Sequence, residues 1–167
     1  MMVGNGPAAL WQSNATINTV SVSVPSAQFG TGVAQPMTSD STQSRSPYDG
    51  FTVCTPPAQV YVGAAYQRQS TTNPGAATLQ VNSPANLTSA AGDAIPMSQI
   101  SWTVSSLGGD ANPTIIPAGT FAGATQFLAS VTQGTMIENC HTFAYANTAI
   151  RAAGTYSGQV TYTLSVP

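Results

Sequence analysis

An all-β sandwich is the fold this sequence predicts, and three observations predict it. The C-terminal stretch Tyr156-Ser-Gly-Gln-Val-Thr-Tyr-Thr-Leu-Ser-Val-Pro167 alternates. Tyr156, Val160, Tyr162, Leu164 and Val166 share one parity, and Ser157, Gln159, Thr161, Thr163 and Ser165 share the other. Side chains alternate faces along a strand, so this is a strand with one apolar and one wet face. A second alternating stretch, Val20-Ser-Val-Ser-Val24, lies near the opposite terminus. Finally, 15 glycines and 12 prolines are spread through the chain and leave a long amphipathic helix almost nowhere to fit.

Residues 1–25 read as an extended N-terminal arm. Its β-propensity is high from Ala15 to Val24, with Val20, Val22 and Val24 on one face. Ile17 falls on the other parity, which predicts a bulge near Asn18 or burial of both faces. Trp11 lies outside any regular pattern, and an anchoring contact on a neighbouring molecule would explain so large an aromatic there. Residues 26–50 are rich in Ser, Thr, Gln, Gly and Pro and read as a polar loop or linker.

Residues 51–167 read as the sandwich domain. Val60-Tyr-Val62, Ala77-Thr-Leu-Gln-Val81, Ile100-Ser-Trp-Thr-Val104 and Glu138 to Ala146 are the clearest internal strands. Pro56-Pro57, Asn73-Pro74-Gly75, Ser83-Pro84 and Gly108-Gly109 separate them with turn chemistry. Trp102 shares parity with Ile100 and Val104, which places it in the core. Ala118-Gly-Thr-Phe-Ala-Gly123 and Ala153-Gly-Thr-Tyr-Ser-Gly158 echo one another and read as two equivalent turn-to-strand corners.

Composition narrows the function classes. The chain has 167 residues, suited to one domain, and 3 Lys or Arg against 5 Asp or Glu, with no lysine at all. Its 5% charged residues compare with about 25% in ordinary soluble domains. Three arginines without a cluster argue against nucleic-acid binding. A charge-poor, hydroxyl-rich surface lacks the repulsion that keeps proteins apart, which suits a subunit that packs into a polymer. No apolar run approaches the ~18 residues of a membrane span. Met1 to Trp11 has neither a basic start nor an apolar run long enough for a signal peptide.

Chemistry-bearing residues are few. His141 is the only histidine, no Gly-x-Ser-x-Gly elbow is present, and Asp40, Asp49, Asp93 and Asp110 sit in turn-like contexts. An enzyme is the class this sequence supports least, with no catalytic residue, cofactor or metal expected. Cys54 and Cys140 are an even pair in a chain that reads as extracellular. Paired, they close a loop worth about 4–5 kcal/mol in the chain-entropy view; the alternative is two buried thiols. Asn14-Ala-Thr16 and Asn86-Leu-Thr88 fit the N-glycosylation acceptor pattern.

Ile100-Ser-Trp-Thr-Val104, Ile116-Pro-Ala-Gly-Thr-Phe121 and Ala153-Gly-Thr-Tyr-Ser-Gly-Gln-Val-Thr-Tyr-Thr-Leu164 together resemble bacterial fimbrial (chaperone–usher-like) subunits and the related spore-coat-U-like surface proteins. The resemblance covers roughly the C-terminal two-fifths. It implies an immunoglobulin-like or jelly-roll β-sandwich with an N-terminal extended arm, in which a neighbour's arm completes an unfinished sheet. On that pattern Ile17, Val20, Val22 and Val24 are donor positions. Tyr156, Val160, Tyr162, Leu164 and Val166 line the acceptor edge. The implied partners are further copies of the chain, a periplasmic chaperone and an outer-membrane assembly pore.

The leading expectation is therefore a structural subunit of an extracellular cell-surface filament, polymerising by donor-strand complementation. The alternatives are a virion capsid-decoration or tail protein, and a carbohydrate-binding adhesin.

Overall fold

The computed structural model describes residues 1–4, 17–67, 75–105 and 116–167, and these form an all-β sandwich. In chain order the strands are β1 (Met2–Val3), β2 (Val20–Ser21), β3 (Gln35–Pro36), β4 (Thr38–Ser39), β5 (Val60–Tyr66), β6 (Ala76–Asn82) and β7 (Asn86–Ser89). They continue as β8 (Ala94–Pro96), β9 (Ile100–Ser105), β10 (Gly119–Thr120), β11 (Thr125–Thr132), β12 (Thr135–Tyr145), β13 (Tyr156–Ser157) and β14 (Thr161–Ser165). Among the described residues, helix is confined to short 3-10 turns at Ser26–Gln28 and Met97–Gln99.

The larger sheet runs β1-β5-β12-β9-β10, and β3 also docks on β12. Its organising element is β12, which pairs with β5 from Thr135↔Tyr66 to His141↔Val60. Its other edge pairs with β9 from Cys140↔Ser105 to Tyr145↔Ile100. A three-stranded sheet, β11-β6-β14, packs across from it, and β13-β7-β8 and β2-β4 are smaller. All these pairings are antiparallel.

One core fills the sandwich. Val60, Val62, Ala64 and Tyr66 of β5 meet Leu79 and Val81 of β6, Leu128 and Val131 of β11, and Phe143 and Tyr145 of β12. Trp102 is buried as its parity predicts, and its indole Nε1 donates to the Pro117 carbonyl at 2.9 Å. The backbone of β10 passes so close to this ring that a Cβ on Gly119 would lie 2.7 Å from it. The two echoing motifs contribute differently: Gly119–Thr120 edges the larger sheet as β10, whereas Tyr156–Ser157 joins β7 in a small one.

Both β5 and most of β12 are buried on both faces. The second face meets a smaller cluster of Met2, Cys54, Tyr61 and Cys140, with Tyr48 and Val53 packed against it. Residues 26–50 thus lie on the body of the protein, through β3, β4 and the buried Ser41 and Ser46. Asn147, at φ 53, ties the first part down. Its Oδ1 accepts from the Gly30 amide at 3.0 Å, and its Nδ2 donates to the Gln28 carbonyl at 2.7 Å. Short polar side chains tolerate that left-handed backbone better than other residues do.

Candidate functional site at the terminal strands

β14 begins where Gly, Ala and Ser give way to a β-rich alternation, and it pairs with β6 from Thr161↔Asn82 to Ser165↔Thr78. It is the outer strand of its sheet, and no described strand pairs with its other edge. The side chains it sends inward, Tyr162 and Leu164, preceded by Val160, are partly exposed rather than fully covered. Val166 is 61% exposed. The backbone on this edge therefore offers hydrogen-bonding groups beside an incompletely covered apolar row, the combination that invites another strand.

Tyr162 crosses from this edge into the core. Its ring lies 6.4 Å from that of His141, which also stacks on Trp102 at 6.0 Å. The Tyr162 hydroxyl is buried without a hydrogen-bond partner, and burial pushes its pKa up. Neither ring nitrogen of His141 has a partner, and burial pushes that imidazole down to about 3. His141 is thus neutral and sits among aromatic rings, without the satisfied hydrogen bonds usual for a buried histidine. Tyr156 stands apart in β13, opposite Ser89, with its hydroxyl donating to the Ala152 carbonyl. The predicted acceptor residues therefore divide between two sheets.

The N-terminal valines face the same core. Val20, Val22 and Val24 are half-buried, Ser21 and Ser23 are exposed between them, and Ile17 is 74% exposed. Their ladder is short, Val20↔Ser39 and Ser21↔Thr38. Asp40 strengthens it by accepting from Asn18 Nδ2 at 3.0 Å and the Thr19 amide at 2.9 Å, and these bonds hold its carboxyl below the usual range. Asp40 also borders an open cleft with Ser39, Ser41, Thr42, Ser44, Pro56 and Pro57. Trp11, Asn14, Arg68 and Asp110 lie outside the described residues.

On the far face of β12, Cys54 and Cys140 form a disulfide with Cα atoms 5.5 Å apart. Beside it lies the most chemically distinctive group, which the sequence reading missed. Tyr61 donates its hydroxyl to Glu138 Oε2, and both side chains are fully buried. The ring of Tyr61 crosses Gly63 to do so; a Cβ there would lie 2.3 Å from the hydroxyl oxygen. Burial, then the Glu138 charge, pushes the Tyr61 phenol up, and the same causes push Tyr48 up to about 12. The one legible hint was the chain's only glutamate, placed inside a strand-like stretch. A carboxylate sealed this fully offers no route for a substrate.

Among the described residues, Asp49 and Asp93 bond locally within their turns. Asp49 Oδ1 accepts from the Phe51 amide at 3.0 Å, and Asp93 closes a turn with Ser89. Among the described residues no group of three acidic, His or Cys side chains could hold a metal ion. No helix of the described chain is long and apolar enough to cross a membrane. Asn86, in the second glycosylation pattern, is exposed on β7. No family model, curated protein or solved structure matches this chain.

Proposed function

We propose that this chain is a structural subunit of an extracellular filament, joined to its neighbours by strand addition at the outer edge of β14. The observation that carries the reading is that edge: an outermost strand whose inward residues Tyr162 and Leu164, with Val160 before them, stay partly exposed. A donor with the right pattern is present in the same chain, with Val20, Val22 and Val24 on one face. Its ladder to β4 is short, Val20–Ser21, and is reinforced by Asp40 at Asn18 and Thr19, so its exchange onto a neighbour's edge breaks that small set of bonds. Head-to-tail exchange of this kind does not close on itself, and the product is a fibre. The Cys54–Cys140 disulfide suits an oxidising compartment.

Negative-stain microscopy and sedimentation of the native protein test the reading. Filaments that survive mild detergent, and whose growth is blocked by a synthetic peptide spanning residues 15–25, are the expected result. Monodisperse monomers at high concentration, or filaments indifferent to the peptide, would remove its basis.

A further inference from the structure

The outward face of β11-β6-β14 holds an unexpected residue. Three cross-strand rows run over it: Thr125–Asn82–Thr161, Phe127–Gln80–Thr163 and Ser130–Thr78–Ser165. None of the three strands carries a charged residue. The rows are hydroxyls and amides, except that Phe127 stands in the middle row at 61% exposure.

A bulge puts it there. From Thr132 and Ser130, strict alternation along β11 would send Leu128 outward and Phe127 inward. The register shifts between Phe127 and Ala129, so Leu128 and Ala129 are both buried and Phe127 is turned to solvent. Bulges recur where a strand re-aims a side chain for use.

We infer that this face binds a neutral glycan, with Phe127 as the platform for a sugar ring and Gln80, Thr163, Thr78 and Asn82 around it as hydrogen-bonding partners. An aromatic face is electron-rich and accepts the weakly positive C–H face of a sugar. Hydroxyls and amides both donate and accept, as sugar hydroxyls do. The lack of charge complements an uncharged polymer and gives no purchase on an anionic one. A protein partner would be met by a more apolar centre than one ring among polar side chains. Three strands and three rows cover about 10 by 13 Å, room for on the order of two or three sugar units. This reading does not depend on the filament.

Affinity electrophoresis of the native protein through gels containing a neutral glucan, a mannan, a galactan or soluble chitin oligomers tests it, with heparin as the anionic control. Retardation by at least one neutral polymer, insensitive to salt, is expected. Phe127→Ala is expected to weaken that retardation roughly tenfold, a factor equal to about 1.4 kcal/mol. Gln80→Ala, which leaves the bulge residues intact, is expected to weaken it to a smaller extent. No retardation by any neutral polymer, retardation by heparin alone, or binding unchanged in Phe127→Ala each overturns the inference. So does sedimentation showing that Phe127→Ala abolishes self-association instead, which would make a second copy the occupant.

Discussion

The two faces of the disulfide strand and the two terminal strands of the sandwich represent opposite solutions to burial. β12 is covered on both sides, by the main core on one and by residues around Cys54, Tyr61 and Tyr48 on the other. β14 and the Val20–Val24 segment reach the same core, yet the apolar side chains they contribute remain partly exposed. Burial and the cross-link are concentrated on β12 and β5, where β1 also docks, while β14 and Val20–Val24 are covered less completely. A polymer built by trading terminal strands needs that division: a body that holds its shape while its edge is incomplete.

Breaking the cross-link is the severest challenge to that contrast. Replacing both Cys54 and Cys140 with Ser is expected to cost roughly 2–5 kcal/mol in chemical denaturation, with the reduced wild type behaving alike. Tyr61→Phe comes next, because it takes from the buried Glu138 carboxylate its phenolic donor; about 1.5–3 kcal/mol is expected, the range for a hydrogen bond to a charge.

His141 sharpens the contrast through pH. Its folded pKa is about 3 against an ordinary value of 6.5, so between those values the unfolded chain takes up a proton that the folded chain refuses. Stability should therefore be level above about pH 6.5 and fall as pH drops toward 3, with a slope of up to about 1.4 kcal/mol per pH unit. His141→Phe keeps the aromatic packing and removes the proton site, and it is expected to flatten that slope in thermal melts across the range. An unchanged slope would show that other groups control acid stability. The smallest effect is expected at the terminus: Val22→Thr, half-exposed, should cost under about 1 kcal/mol in the monomer. Its effect on filament growth should be far larger if the segment is the donor.

Much of this was legible because strands announce themselves by period. Val20–Val24 and Val160–Leu164 showed their inward faces, and Trp102 its place in the core, whereas Val166 is exposed. β11 was read only as the strand leading out of the Ala118–Gly123 corner, because its bulge breaks the period at Phe127 and Leu128 and blurs its alternation. β5 extends to Tyr66 through Gly63, Ala64 and Ala65, whose small side chains carry weak strand propensity; at Gly63 the Tyr61 hydroxyl occupies the space a Cβ would need. The loop of residues 26–50 gave no hint of its docking, since the partners of Gly30 and Gln28 lie on Asn147, more than a hundred residues away.

Local order sufficed for what is local. The all-β class, the alternation of the terminal strands, the breaks at Pro56-Pro57 and Ser83-Pro84 and the scarcity of charge all follow from neighbouring residues, because backbone geometry repeats over short spans; Asn73-Pro74 and Gly108-Gly109 lie outside the described residues. Which cysteine state, which carboxylate is buried, which strand remains at the edge and which aromatic is turned outward required the tertiary structure. Those are decided by contacts between distant segments: Cys54 meets Cys140, Tyr61 reaches Glu138, and β6 pairs with β14 on one side and β11 on the other. The free energy of such contacts depends on what the rest of the chain leaves beside them, and no window of sequence contains it.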